Sequence, residues 1–320
     1  MWGMKNHEKL TQIAEVARLY YWEGKSQAEI GTLMGVSHST ISRILKEAHE
    51  LKIVEVLIRQ PIQLMSGLSA QLEKRFSLKK AYVVSSGHDV DENLNQLAIQ
   101  AAQVLSDHLR DGVRLGFSTG STVAATLQSF KAVQPLHIQV VPLHGIKEDL
   151  PGNGSNFLHV LIKQLSRDIL TFPAPWLMQS KEISQLILRE EAVSTAIHLA
   201  ESADVGLIGI GGIDEKISEI FRNGWVSEDE YNEIMKAGAV GEICGKFFDQ
   251  EGKVLDIPFN KRLMAIDLNA LRGFETVLAV AGSKNKAKPI LAAMQGKLIN
   301  VLVTDADAAR AILDLVKSKD

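Results

Sequence analysis

The stretch Gln27-Ala28-Glu29-Ile30-Gly31-Thr32-Leu33-Met34-Gly35-Val36-Ser37-His38-Ser39-Thr40-Ile41-Ser42-Arg43-Ile44-Leu45 reads as a helix, a glycine turn and a second helix. Gly31 stands where two helices would cross and Gly35 where the chain would turn. Ile30, Met34, Val36, Ile41 and Ile44 are spaced to close a miniature core. An ordinary helical hairpin shares the glycine turn, but the fit of all these positions is that of a helix-turn-helix, whose second helix enters the major groove of DNA. The outward positions of that helix are Ser37, His38, Ser39, Thr40, Ser42, Arg43 and Lys46. These residue types contact phosphates and base edges, and an arginine such as Arg43 can bridge a guanine through two hydrogen bonds. Upstream, Leu10, Ile13, Ala14, Ala17, Leu19 and Tyr20 recur at helical spacing, as in a supporting helix.

From Met1 to Leu57 the charges are five Lys and two Arg against seven Glu. The segment is neutral and lacks the basic excess of a strong phosphate binder, so binding calls for two or more heads on one double-stranded operator. A helix-turn-helix domain over 1–57 leaves 58–320 of the 320-residue chain, enough for one large core or two linked lobes. A composition that is 46% hydrophobic and 23% charged is that of an ordinary globular protein, and the net charge of −3 selects no partner. No apolar run approaches the roughly 20 residues of a membrane span, and the start Met1-Trp2-Gly3-Met4-Lys5 does not read as a signal peptide. A cytoplasmic protein is expected. The single cysteine, Cys244, excludes an internal disulfide and a multi-cysteine metal site, and is most simply a small buried residue. No cofactor and no metal are expected.

After the head, Ile53-Val54-Glu55-Val56-Leu57-Ile58 alternates like a short strand until Pro61 breaks the pattern, as a hairpin wing or a leader strand would. Leu64, Leu68, Leu72 and Phe76 mark one helical face, which fits either a dimerising linker or a core helix. From Ala81 onward short apolar runs alternate with helical stretches. The expected strands are Ala81–Val84, Val113–Phe117, Ile138–Val141, Val205–Ile210, Leu263–Ile266, Thr276–Val280 and Ile299–Val303, with helices such as 93–109 and 286–294 between them. Strands apolar on both faces and separated by helices indicate an α/β fold with a mostly parallel sheet.

Ligands of such sheets gather at the carboxyl ends of strands. Gly116-Phe117-Ser118-Thr119-Gly120-Ser121-Thr122 leads from a strand through a hydroxyl-rich loop into a helix. Backbone N–H groups, hydroxyls and the positive end of a helix dipole there suit a phosphate, although Ser118 or Ser121 capping the helix would leave the same sequence. The loop lacks a P-loop lysine, which favours a small phosphorylated metabolite over ATP. A second segment is Gly238-Ala239-Val240-Gly241-Glu242-Ile243-Cys244-Gly245-Lys246-Phe247-Phe248-Asp249, where Glu242 lies among small residues that let its carboxylate approach sugar hydroxyls. A third is Ala281-Gly282-Ser283-Lys284-Asn285-Lys286-Ala287-Lys288 after a strand, where a lysine can neutralise phosphate or simply face solvent.

These segments, together with Leu298-Ile299-Asn300-Val301-Leu302-Val303-Thr304-Asp305 and in this order, resemble the SorC family of bacterial transcriptional regulators over nearly the whole chain. The resemblance implies an N-terminal all-α helix-turn-helix domain joined to a large Rossmann-like α/β effector and oligomerisation domain, similar to sugar-phosphate isomerase and deaminase folds. It implies a phosphorylated sugar or related metabolite as effector and a homo-oligomer, typically a tetramer. It also implies that Ser118, Thr119, Gly120, Ser121 and Thr122 form the phosphate loop, that Glu242 reads effector hydroxyls, that Cys244 lines the same pocket and that Lys286 meets the phosphate end. Many members carry a bulkier aromatic and an arginine in the loop where Thr119 and Ser121 stand, so a more open and less cationic pocket is expected. Some relatives capture a deoxysugar phosphate through a lysine after the third strand. Here Val141-Pro142-Leu143-His144-Gly145-Ile146 carries histidine, which forms no stable imine, so covalent capture is not expected and His144 is left to hydrogen-bond the effector or to serve the structure.

The competing reading is an enzyme acting on sugar phosphates. Gly209-Ile210-Gly211-Gly212-Ile213-Asp214-Glu215 resembles the acidic active-site segment of ribose-phosphate isomerases, with Asp214 or Glu215 as base. Glycines replace the first acid of that segment, and an enzyme gains nothing from a DNA-reading head. The expectation is therefore a transcriptional regulator of a carbohydrate-metabolism operon, acting as a repressor as is commoner in similar proteins, and not an enzyme.

Overall fold

A computed structural model describes residues 2–51, 53–54, 62–131, 136–147, 168–214 and 218–317. Contacts divide the chain into two compact units, Met1–Pro61 and Ile62–Asp320. The alternating 53–58 stretch lies mostly outside the described residues, as do Pro61 and Glu215.

The first unit holds α1 (Trp2–Tyr21), α2 (Gln27–Met34) and α3 (His38–Glu50). Ser26 starts α2 with a capping box: its hydroxyl accepts from the Glu29 N–H at 3.3 Å while the Glu29 carboxylate accepts from the Ser26 N–H at 2.8 Å. Gly35 ends α2 in the left-handed region at φ 68°, and the Ser37 hydroxyl accepts from the Thr40 N–H to start α3. A Cβ at Gly31 would sit 2.8 Å from the Val36 carbonyl oxygen, so the two helices meet closely only because that residue has no side chain. Val16, Leu19, Ile30, Ile41 and Leu45 form the core, with Tyr20, Met34, Val36 and Ile44 packed against it. The supporting helix needs one correction. Its inward face is Ile13, Val16 and Ala17, buried at i, i+3 and i+4, with buried Leu19 and half-buried Tyr20 beyond them; Ala14 falls off that face and is exposed, and Leu10 is 44% exposed.

The second unit is built on a seven-stranded parallel sheet. Its strands are β1 (Lys80–Val84), β2 (Arg114–Phe117), β3 (Gln139–Pro142), β4 (Asp168–Ile169), β5 (Val205–Gly209), β8 (Thr276–Val280) and β9 (Val301–Asp305), in the order β1-β9-β8-β5-β2-β3-β4. A separate antiparallel hairpin joins β6 (Gly241–Ile243) to β7 (Lys246–Phe248). Helices α4 (Ser66–Phe76), α5 (Val90–His108) and α6 (Ser121–Ser129), with others including Glu191–Glu201, Ala287–Gln295 and Ala306–Lys317, accompany the strands. β8 and β9 are buried at every residue, which explains their unbroken apolar runs. The leucine stripe of α4 is a core face: Leu72 is buried, Leu68 and Phe76 pack on the same cluster, and Leu64 is left exposed.

One expected strand is absent from the sheet. Leu263–Ile266 is buried but makes only isolated bridges, with Met264 donating to the Trp176 carbonyl at 2.8 Å and Ile266 to the Leu143 carbonyl at 3.0 Å. It is a wedge between the 143–146 and 175–178 segments. A four-residue apolar run reads the same in either role. Among the described residues, no helix is long and apolar enough to cross a membrane.

Candidate functional site

On α3, Ser37, His38, Ser39, Ser42, Arg43 and Lys46 are exposed and Thr40 is half-buried. The Ser37 hydroxyl lies 2.8 Å from both the Ser39 and Thr40 hydroxyls, so these three bind one another at the start of the helix. His38, Ser42, Arg43 and Lys46 are left as exposed polar side chains of the helix. Lys46 stands 3.9 Å from Glu50 in an exposed pair that a phosphate can displace at little cost.

In the second unit, the carboxyl ends of the adjacent strands β2, β5 and β8 carry loops that enclose a cavity of about 130 Å³. Its walls include Ser118, Thr119, Gly120, Ser121 and Thr122 after β2, and Gly209, Ile210, Gly211 and Gly212 at the end of β5. Lys286 after β8, and Glu242, Cys244 and Gly245 from the hairpin, complete the group. Eight of the nine effector residues expected from sequence are thus brought together.

The helix-capping alternative for the first loop does not hold. Gly120 is the N-cap of α6 at φ 143°, and no side chain caps that helix. Ser118, 2% exposed, accepts instead from the Gly209 N–H at 3.2 Å and ties β2 to β5. The N-terminus of α6 therefore presents backbone N–H groups to the cavity, an arrangement that favours an anion.

Glu242 is clamped across β5. It exchanges two backbone hydrogen bonds with Gly211, at 2.9 and 3.0 Å, and its carboxylate accepts from the Gly245 N–H at 2.7 Å. A side chain at Gly211 would collide with that carboxylate, and one at Gly245 with the Trp176 indole. Burial pushes the Glu242 carboxyl up, opposed by Lys147, by the Gly245 N–H and by Lys286. Burial likewise pulls the Lys286 ammonium down, against Glu242 and Glu219. The hairpin turn is Cys244-Gly245, both at positive φ (54° and 87°) as a type I′ turn demands. Cys244 is 5% exposed, and burial with the Glu242 charge raises its thiol to about 12, so while the cavity is closed it is a protonated, unreactive part of the wall.

His144 is the exception among the nine. It is 3% exposed and stands behind the loop rather than in the cavity wall. Its Nδ1 lies 2.8 Å from the Gly145 carbonyl and its Nε2 accepts from the Thr119 N–H at 3.1 Å. Burial first, and then the nearby Lys147 charge, pull its pKa down to about 3 against the Gly145 bond, which raises it.

Sequence reading missed four cavity residues, Lys147, Ser218, Glu219 and Arg222. Lys147 lies 4.5 Å from the centre of the Trp176 ring and 5.6 Å from that of Trp225. The loop itself is free of cations, as its sequence promised, but the cavity is not: Lys147, Arg222 and Lys286 all border it. A lysine soon after β3 was the only available signal, and nothing marked Arg222. Lys284 and Lys288 are exposed, in keeping with a solvated turn. Asp214, the base of the enzymatic reading, borders a different hollow with Tyr231 and Lys288. Among the described residues, the carboxylates at the cavity are Glu219 and Glu242.

A helix-turn-helix beside a Rossmann-like sheet with a polar, anion-ready cavity defines a ligand-responsive transcriptional regulator. Residues 60–314 match the family model described as "Putative sugar-binding domain", and residues 12–50 match that of sigma-70 region 4, itself a DNA-binding helical module. The chain belongs to this sugar-binding family, and within it is of the SorC type. It is 32% identical over 306 residues to the transcriptional regulator LsrR of Enterobacter sp. strain 638, covering 95% of this chain and 93% of that one. It is 29% identical to the deoxyribonucleoside regulator of Bacillus subtilis strain 168, covering 97% and 99%. The crystal structure of the full-length sorbitol operon regulator SorC from Klebsiella pneumoniae superposes with a TM-score of 0.68 at 27% identity, covering 95% and 98%. These relatives are transcriptional regulators and not enzymes, which sets the isomerase reading aside.

Proposed function

We propose that this protein is a cytoplasmic repressor of a carbohydrate-metabolism operon, acting as a homotetramer that binds double-stranded operator DNA through 1–57 and a phosphorylated sugar through 58–320. The observation that carries this reading is the uncapped N-terminus of α6, open to a cavity that also holds Lys286 and the clamped carboxylate of Glu242. Phosphate sits on the N–H groups and hydroxyls of the 118–122 loop, and Glu242 accepts from sugar hydroxyls. The names of the relatives, a deoxyribonucleoside regulator and a sorbitol operon regulator, support a sugar-derived effector. Effector moves the protein off its operator by its differential affinity for the DNA-bound and free states.

The test is operator binding by the full-length protein, on DNA from its own upstream region, with and without a panel of pentose, hexose and hexitol phosphates. Product formation is assayed in the same mixtures. One compound should release the operator without being consumed. Ser121→Glu, which sets a negative charge against the incoming phosphate, should abolish that response, weakening the effector on the order of a hundredfold, and leave operator binding intact. Turnover of a sugar phosphate without specific DNA binding overturns the reading.

A further inference from the structure

The anion loop contains a histidine contact that no ligand-binding role accounts for. A carbonyl oxygen can only accept, so the bond between His144 Nδ1 and the Gly145 carbonyl, 2.8 Å, places the ring proton on Nδ1. A backbone N–H can only donate, so Nε2 faces the Thr119 N–H at 3.1 Å as a bare lone pair. The Thr119 hydroxyl stands 3.0 Å from the same nitrogen. Both bonds are satisfied by one tautomer of a neutral ring and by no other state. Ala265 bridges His144 from behind, and the ring is almost sealed from water. The acceptor is thus fixed in place by the wedge described above.

We infer that His144 is a positioning residue: its Nε2 withdraws the Thr119 N–H from the ligand and turns Gly120, Ser121 and Thr122 toward the cavity as the anion donors. This rests on the anion-binding reading of the loop. Thr119 then borders the cavity without donating its backbone N–H to phosphate. A side chain at 144 serves only if it presents an acceptor at the Nε2 position. A buried N–H left without its acceptor costs enough to make the loop abandon this geometry.

The experiment uses the full-length protein with inorganic phosphate as the probe, measured by calorimetry for the wild type, His144→Gln and His144→Leu. Glutamine offers a carbonyl oxygen near the Nε2 position and should keep phosphate affinity within about threefold, whereas leucine should weaken it about tenfold or more. Thermal melting and operator binding identify variants that are folded. A folded His144→Leu with wild-type affinity overturns the inference while leaving the proposed function standing. A wild type that binds neither phosphate nor any sugar phosphate overturns both. Nitrogen-15 spectra of histidine-labelled wild type decide the matter even if the leucine variant does not fold: a protonated Nδ1 beside a bare Nε2 is the expected result, and a protonated Nε2 overturns the inference.

Discussion

The helix-turn-helix of this protein lies within one run of chain, from Gln27 to Glu50, whereas the cavity proposed for the effector is assembled from segments scattered between Ser118 and Lys286. The turn of the head is set by caps and glycines acting a few positions away, and its core by helices that follow one another directly in the chain, so its pattern is legible within one short run. The cavity exists because β2, β5 and β8 are neighbours in space though far apart in sequence. Two functions in one polypeptide thus rest on different kinds of specification, and each should be open to damage without the other.

The largest expected effect breaks the head alone. Ile41 is fully buried among Val16, Leu19 and Ile30, and Ile41→Ala should cost the head about 2–5 kcal/mol, seen as lost operator binding and a low-temperature melting step, with phosphate affinity unchanged. Loss of phosphate binding in the same variant would show that the two regions are not separable. Acid tests the cavity side. The His144 ring stays neutral in the folded protein down to about 3, while an unfolded histidine takes up a proton near 6.5. The unfolded state therefore binds the extra proton in this window, and stability is fully present above 6.5 and lost as pH falls toward 3. Its slope is at most about 1.4 kcal/mol per pH unit, and His144→Gln should remove it from denaturation curves.

Two substitutions of surface charge sharpen the contrast. Lys286→Met removes a half-buried cation from the cavity and should weaken phosphate by about 1.5–3 kcal/mol in calorimetry, with operator affinity in the absence of effector retained. Arg43→Ala, on the exposed face of α3, should cost about 1–3 kcal/mol and relax sequence preference at one operator position. An equal loss on every DNA sequence would instead make Arg43 a phosphate contact.

The same contrast governs what could be read from sequence. Gly31 and Gly35 announced their roles because each acts on residues within a few positions, whereas Ser37, read only as an outward position, is also the N-cap of α3. Strands β1, β2, β3, β5, β8 and β9 were legible as apolar runs, with boundaries displaced by up to two residues. Leu263–Ile266 was misread because a buried run of four carries no sign of what its backbone bonds to. The three-residue strands of the hairpin are too short to show alternation, although Glu242 stood out among its glycines. Lys147 offered only its position soon after β3, and Arg222 carried no local pattern at all: their place at the cavity follows from how distant segments meet. His144 was noticed, but the direction it faces depends on the Leu263–Ile266 wedge, which only the tertiary structure supplies.

Cys244 is the one sulfhydryl in the chain, and it borders the cavity. Any thiol reagent therefore has a single address, and the rate at which it reacts is a count of how often that corner opens to solvent. Wild-type protein carries its own reporter: a compound that slows alkylation and raises the melting temperature occupies the pocket, and an effector screen can be run by mass spectrometry before an operator sequence is known.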